Sequence, residues 1–121
     1  MRICKLEKET MNSEILDKLT KSVVDGDEDR ARKVAQEALA AKVDPLEAIK
    51  NGFAKGMDIV GKKFHNFEVF LPEVILAADA MKAGIEFLRP KMSAESMAKA
   101  LRGKVVIGTV FGDIHDIGKN L

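Results

Sequence analysis

The sequence predicts a mainly α protein: a four-helix bundle, followed by the first strand and turn of an α/β unit. Three observations carry that prediction. Apolar residues recur at three-and-four spacing between Ser13 and Met92. Asp, Pro and Gly stand where successive helices would begin and end. After Gly103 the pattern changes to KVVIGTV, a β-branched run without alternation.

The elements follow in chain order. Residues 1–12 read as a flexible leader, because the first capped helix is expected only after Met11. From Ser13, Ile15, Leu16, Leu19, Val23 and Val24 form one helical stripe, and Gly26 is its stop. Asp27 suits the cap of a second helix, whose Glu28 and Asp29 sit at the positive end of the helix dipole. Its apolar face, Ala31, Val34, Ala35, Ala38 and Leu39, is small enough for close packing. Asp44 and Pro45 open a third helix, since the N–H that proline lacks would have no partner in the first turn. Leu46, Ile49, Phe53, Met57, Val60 and Phe64 keep helical spacing along it. Gly52 and Gly56, one turn apart, each weaken that helix by about 1 kcal/mol unless another segment must approach closely, and close approach is the expectation. Pro72 opens a fourth helix carrying Val74, Ala78, Met81, Ile85 and Leu88, which Pro90 ends. Residues 13–92 thus make a helical domain and 93–103 a linker with one short helix. Residues 104–121 are the start of an α/β domain that is expected to be incomplete, with 104–110 as its buried strand.

Composition narrows the function. A length of 121 residues, 46% of them hydrophobic, suits a single core. Lys and Arg number 20 against 19 Asp and Glu, a formal charge of +1 that offers no field to recruit nucleic acid or an anionic membrane. The lone Cys4 has no partner for a disulfide, a zinc site or a redox pair, which fits a reducing cytoplasm. No window approaches the roughly 20 apolar residues of a membrane span, and no apolar run behind the N-terminus marks a secretion signal.

Chemistry concentrates in GDIHDIG. In a parallel α/β sheet, ligands bind beyond the carboxyl ends of the strands, where this stretch lies. Asp113 and His115 are two apart, so from an extended turn both side chains can point one way. The carboxylate then accepts from one imidazole nitrogen and leaves the other for a metal. Gly112 and Gly118 permit positive φ and let a bulky flat ligand come close to the backbone, while Asp116 can cap the helix beginning near Ile117. The same residues equally suit a plain histidine in a capped strand-to-helix turn, and spacing does not separate the two readings. A phosphate loop does not fit: Asn120 stands where a hydroxyl residue is needed, and two aspartates would repel phosphate. A hydrolytic metal centre uses several imidazoles or carboxylates, whereas His65 is the one other histidine.

These residues resemble the corrinoid proteins of methyltransferase systems and the equivalent module of cobalamin-dependent methionine synthase. The resemblance rests on D-x-H-D-x-G, present as Asp113-Ile-His115-Asp116-Ile-Gly118 with Lys119-Asn120 after it, and on GMDIVGKKF and FLPEVILAADAMKAG in the helical part. It implies a four-helix cap followed by a Rossmann-like domain, with cobalamin held between them. It implies that His115 is the lower axial cobalt ligand in place of the cofactor's own benzimidazole, that Asp113 hydrogen-bonds the far nitrogen of His115, and that Gly112, Asp116 and Gly118 belong to the same cofactor-binding signature. Phe64, Leu71 and Val74, which spacing alone would assign to the bundle core, match the cap residues that shield the upper, methyl-bearing face. The implied function is carriage of a methyl group on cobalt from a substrate-specific methyltransferase to a second, acceptor methyltransferase, as a cytoplasmic subunit rather than an enzyme by itself. Phe67 stands where the family usually has glycine, so that turn is expected to be reshaped. The family continues for several more strands and helices. A 121-residue chain is therefore expected to hold cobalamin weakly or not at all, with 104–110 disordered or paired with the same strand of another copy in a homo-oligomer. The competing expectation is a helical protein-interaction module that binds no cofactor.

Overall fold

The computed structural model describes residues 2–101, 103–114 and 119. The elements are α1 (Arg2–Val24), α2 (Glu28–Ala40), α3 (Pro45–Glu47), a π-helical segment (Ala48–Phe53), α4 (Ala54–His65), α5 (Leu71–Leu88), a 3-10 turn (Arg89–Lys91) and α6 (Ala94–Ala100). Right-handed helical dihedrals at Ala48, Phe53 and Ala54 make α3, the π-helical segment and α4 one continuous rod. With α1, α2 and α5 this rod forms the four-helix bundle that the apolar spacing predicts. α2 packs along α5, and α1 lies against the π-helical segment, α2, α4 and α5.

Side-chain chemistry at the helix ends explains where the elements start. The Asp27 carboxylate accepts from the Arg30 N–H at 3.0 Å, and that of Asp44 from the Leu46 N–H at 3.2 Å, each satisfying a donor that the first turn leaves without a partner. Glu73 accepts from the Phe70 N–H at 3.0 Å and does the same for α5. Three helix ends share one design. Gly26, Lys42 and Phe67 take φ of +67°, +60° and +60°. The next residue's N–H then reaches back to a carbonyl in the last turn: Asp27 to Ser22 at 3.1 Å, Val43 to Ala38 at 2.9 Å and Glu68 to Lys63 at 2.9 Å.

The core joins Ile15, Leu19 and Val23 of α1 with Ala31, Val34, Ala35 and Ala38 of α2, Phe53 and Val60 of the rod, and Ala77, Ala80 and Leu88 of α5. Leu16, Val24, Leu39, Ile49, Met57, Val74, Met81 and Ile85 are partly buried against it. Gly52 and Gly56 do serve close approach. A Cβ on Gly52 would stand 2.8 Å from the Leu19 Cβ, and one on Gly56 would stand 2.8 Å from the Val23 Cβ and 2.9 Å from the Thr20 carbonyl oxygen. At the same crossing the Thr20 hydroxyl is shared between the carbonyls of Leu16 and Gly52, both at 3.0 Å. Its single proton therefore ties α1 to the rod where the two backbones are nearest.

Three features differ from the expectation. Residues 2–12, read as a leader ahead of the first helix, are its opening turns. RICKLEKETMN contains neither Gly nor Pro and is rich in strong helix formers, so a helix nucleated by the packed Ile15–Val24 stripe extends backwards at little cost. The helix over 48–53 is π-helical rather than α. Finally, 104–110 forms no strand, and its apolar side chains are exposed, Val106 at 97%. A strand's N–H and C=O groups need a neighbour to form a ladder, and none is available among the described residues.

Candidate functional site: an uncovered cap and a carboxylate turn

The apolar stripe of the rod does not end where the core ends. Phe64, in the last turn of α4, is 46% exposed, and Leu71, the first residue of α5, is 39% exposed. Between them the helix break carries Phe67 and Phe70, exposed at 84% and 66%. Val74, one turn into α5, packs against the core instead. One end of the bundle therefore presents large apolar side chains to solvent within a stretch of eight residues, 64–71. Single exposed hydrophobics need no explanation, but a cluster of this kind marks a surface that something else covers. Lys62, Lys63 and His65 surround Phe64 in the same helical turn and suit the negative end of the helix dipole, with Lys62 paired to Asp58 at 2.9 Å.

The second candidate element is a tight turn. The Asp113 N–H donates to the Val110 carbonyl at 3.1 Å, closing a four-residue turn with Phe111 and Gly112 at its centre. Gly112 has φ +83°, the value that a type II turn requires at its third residue. A Cβ added there would meet nothing within 4 Å, so the backbone is open to an approaching ligand. His115, Asp116 and Gly118 lie outside the described residues. The structure thus exposes Phe64 and Leu71 on either side of one helix break, packs Val74 against the core, and sets Gly112 and Asp113 in a separate turn.

Sequence reasoning missed Phe67 and Phe70 as parts of the exposed cluster. The signal was present: three phenylalanines at intervals of three, Phe64, Phe67 and Phe70, cross a predicted helix break.

The described residues thus form a helix bundle with large apolar side chains exposed at one helix break, followed by a glycine turn that bears a carboxylate. The protein-family model described as the B12 binding domain matches residues 15–89, and the chain belongs to that family. It is 49% identical over 108 residues to trimethylamine corrinoid protein 2 of Methanosarcina mazei, covering 89% of this chain and 50% of that protein. It is 41% identical over 108 residues to a corrinoid protein of Desulfitobacterium hafniense, covering 88% of this chain and 50% of that one. The chain spans about half the length of these curated relatives. Among solved structures, the monomethylamine corrinoid protein of Methanosarcina barkeri superposes with a TM-score of 0.65 at 40% identity, covering 66% of this chain and 38% of that one. The methanol:cobalamin methyltransferase complex of the same organism gives a TM-score of 0.63 at 32% identity, covering 67% and 31%.

The residues present fit a corrinoid. Exposed Phe64 and Leu71 are apolar surface of the kind a broad macrocycle would rest against, and Gly112 is backbone open to a close approach. No helix among the described residues is long and apolar enough to cross a membrane.

Proposed function

We propose that this chain is the helical cap, with the first ligand-bearing turn, of a corrinoid protein that carries a methyl group between a substrate-specific methyltransferase and an acceptor methyltransferase. The single observation that carries the reading is the exposed apolar end of the bundle, Phe64 and Leu71, within a chain of the B12-binding-domain family. Cobalamin, when bound, supplies the cobalt centre that accepts and gives up the methyl group. The protein's own residues do the rest. Phe64 and Leu71 would exclude water from a bound corrinoid, and Val74, packed against the core, would steady the first turn of α5. His115 would be the residue that ligates the cobalt when the cofactor is bound. Asp113 would accept from the other ring nitrogen of His115 and so fix the tautomer and orientation that ligation needs. Gly112, open on its Cβ side, would let the ring come close, and Asp116 and Gly118 would complete the same cofactor-binding signature.

Val105, Val106, Ile107 and Val110, exposed here, form the first strand of the α/β domain when neighbouring strands are present, and pairing with a second copy is the alternative. The relatives named for trimethylamine and monomethylamine support a methylamine as the methyl source.

The cap reading is tested by replacing Phe64 and Leu71 together with alanine, in the longest reading frame that contains these residues. Both side chains are partly exposed, so the bundle is expected to keep its helical circular dichroism. Affinity for hydroxocobalamin is expected to fall roughly tenfold, by the apolar area that no longer covers the ring. Unchanged affinity with an intact fold would assign those residues to something other than the cofactor.

A further inference from the structure

Phe67 combines three properties that no other described residue shares. It takes φ +60°, the left-handed region that glycine enters freely and a bulky L residue enters at a cost. Its side chain is 84% exposed, so little contact within the chain offsets that cost. It also sits in the exposed apolar cluster, its N–H donating to the Phe64 carbonyl at 3.1 Å and the Glu68 N–H beside it closing onto Lys63 at 2.9 Å. Lys42 makes a useful contrast. It has the same φ at the same place in the end of α2, but a flexible, charged side chain is at home in solvent there and a phenyl ring is not.

We infer that Phe67 is a third lid residue, held in a strained conformation so that its ring extends the apolar surface of Phe64 and Leu71 over the edge of the bound corrinoid. The inference rests on the cofactor reading above. The helix end needs a left-handed residue to turn the chain toward Phe70 and α5, and glycine would serve that need alone. A ring at that position adds nothing to the turn, so its contribution appears only when a ligand covers it. Exposed Phe64, Phe67, Phe70 and Leu71 put four large apolar side chains within eight residues, more than a small methyl donor would cover and suited to the edge of a macrocycle.

The test compares Phe67→Gly with Phe67→Ala and the unsubstituted protein, in the longest reading frame that contains these residues, using hydroxocobalamin as the probe. Phe67→Gly is expected to raise the melting temperature of the cofactor-free protein by about 3 °C through relief of the left-handed strain. It is expected at the same time to weaken hydroxocobalamin binding roughly fivefold to tenfold. Phe67→Ala keeps the strain and loses the ring, so it is expected to weaken binding equally without the gain in melting temperature. If both variants bind as tightly as the unsubstituted protein, the lid role is overturned while the cofactor reading stands. If the unsubstituted protein itself fails to bind, both are overturned. A fall in melting temperature for Phe67→Gly would contradict the strain on which the inference is built.

Discussion

Replacing Phe53 with alanine is expected to lower the stability of the bundle by about 3–5 kcal/mol, a large part of the total for a domain of this size. Phe53 is the largest fully buried side chain and lies at the end of the π-helical segment, where its ring packs directly over Gly84 of α5. A Cβ on Gly84 would stand 2.7 Å from Cε2 and 2.8 Å from Cε1 of that ring, well inside van der Waals contact. Gly84→Ala therefore sets two effects against each other. Helix propensity favours alanine by about 1 kcal/mol. Overpacking against a ring that has no room to move costs about 1–3 kcal/mol, so a net loss is expected. The two sites are in contact and should couple. In a Phe53→Leu background the steric term falls away, and Gly84→Ala is expected to become neutral or stabilising. Chemical denaturation of the four proteins checks this. Additive effects would mean that the ring and the glycine do not meet.

Replacing His115 with alanine is expected to have the largest functional effect. An axial ligand is a direct bond to the metal, and removing even a hydrogen-bonded neighbour of such a ligand weakens metal binding about tenfold to a hundredfold. Loss of the ligand itself is therefore expected to reduce hydroxocobalamin affinity by roughly a hundredfold or more. The change in cobalt absorption bands that accompanies binding is expected to disappear. Asp113→Asn, which leaves the imidazole in place but removes the proposed anionic partner, is expected to cost roughly tenfold. The ordering matters more than either value. A protein in which Asp113→Asn is as damaging as His115→Ala would need the carboxylate, not the imidazole, at the cofactor.

Much of the bundle could be read from residues alone because its signals are local. Asp27, Asp44 and Gly26 have side chains, or lack one, in ways that only particular helix ends can use, and each sits at such an end. The stripes on α1 and α2 are the core because burial follows the helical period. Gly52 and Gly56 were legible as a crossing because a glycine pair inside a helix has few other physical reasons. What stayed hidden depends on tertiary context. The π-helical segment has no residue signature in AIKNGF. Thr20 reads as an ordinary polar residue until the rod brings the Gly52 carbonyl to it. The left-handed turn at Phe67 did not show in the residue itself, because a phenylalanine advertises the opposite preference; only the glycine usual there in the resembled family pointed to it, and the backbone keeps a conformation that glycine favours instead of being reshaped. The stretch 104–110 reads as strand by composition, yet a ladder is a property of two segments and not of one. In the candidate site, Phe64 and Leu71 looked like core because they obey the same period as core residues. Exposure alone sets them apart.

Coordination of cobalt by a protein imidazole is the central claim, and electron paramagnetic resonance of the cob(II)alamin form tests it most directly. Protein containing histidine labelled with heavy nitrogen, loaded with unlabelled cofactor in the longest reading frame that carries these residues, is expected to show the superhyperfine splitting of the heavy isotope, and His115→Ala is expected to lose it. Splitting that keeps the pattern of the natural isotope would show the cofactor's own benzimidazole still bound to cobalt and would contradict the account.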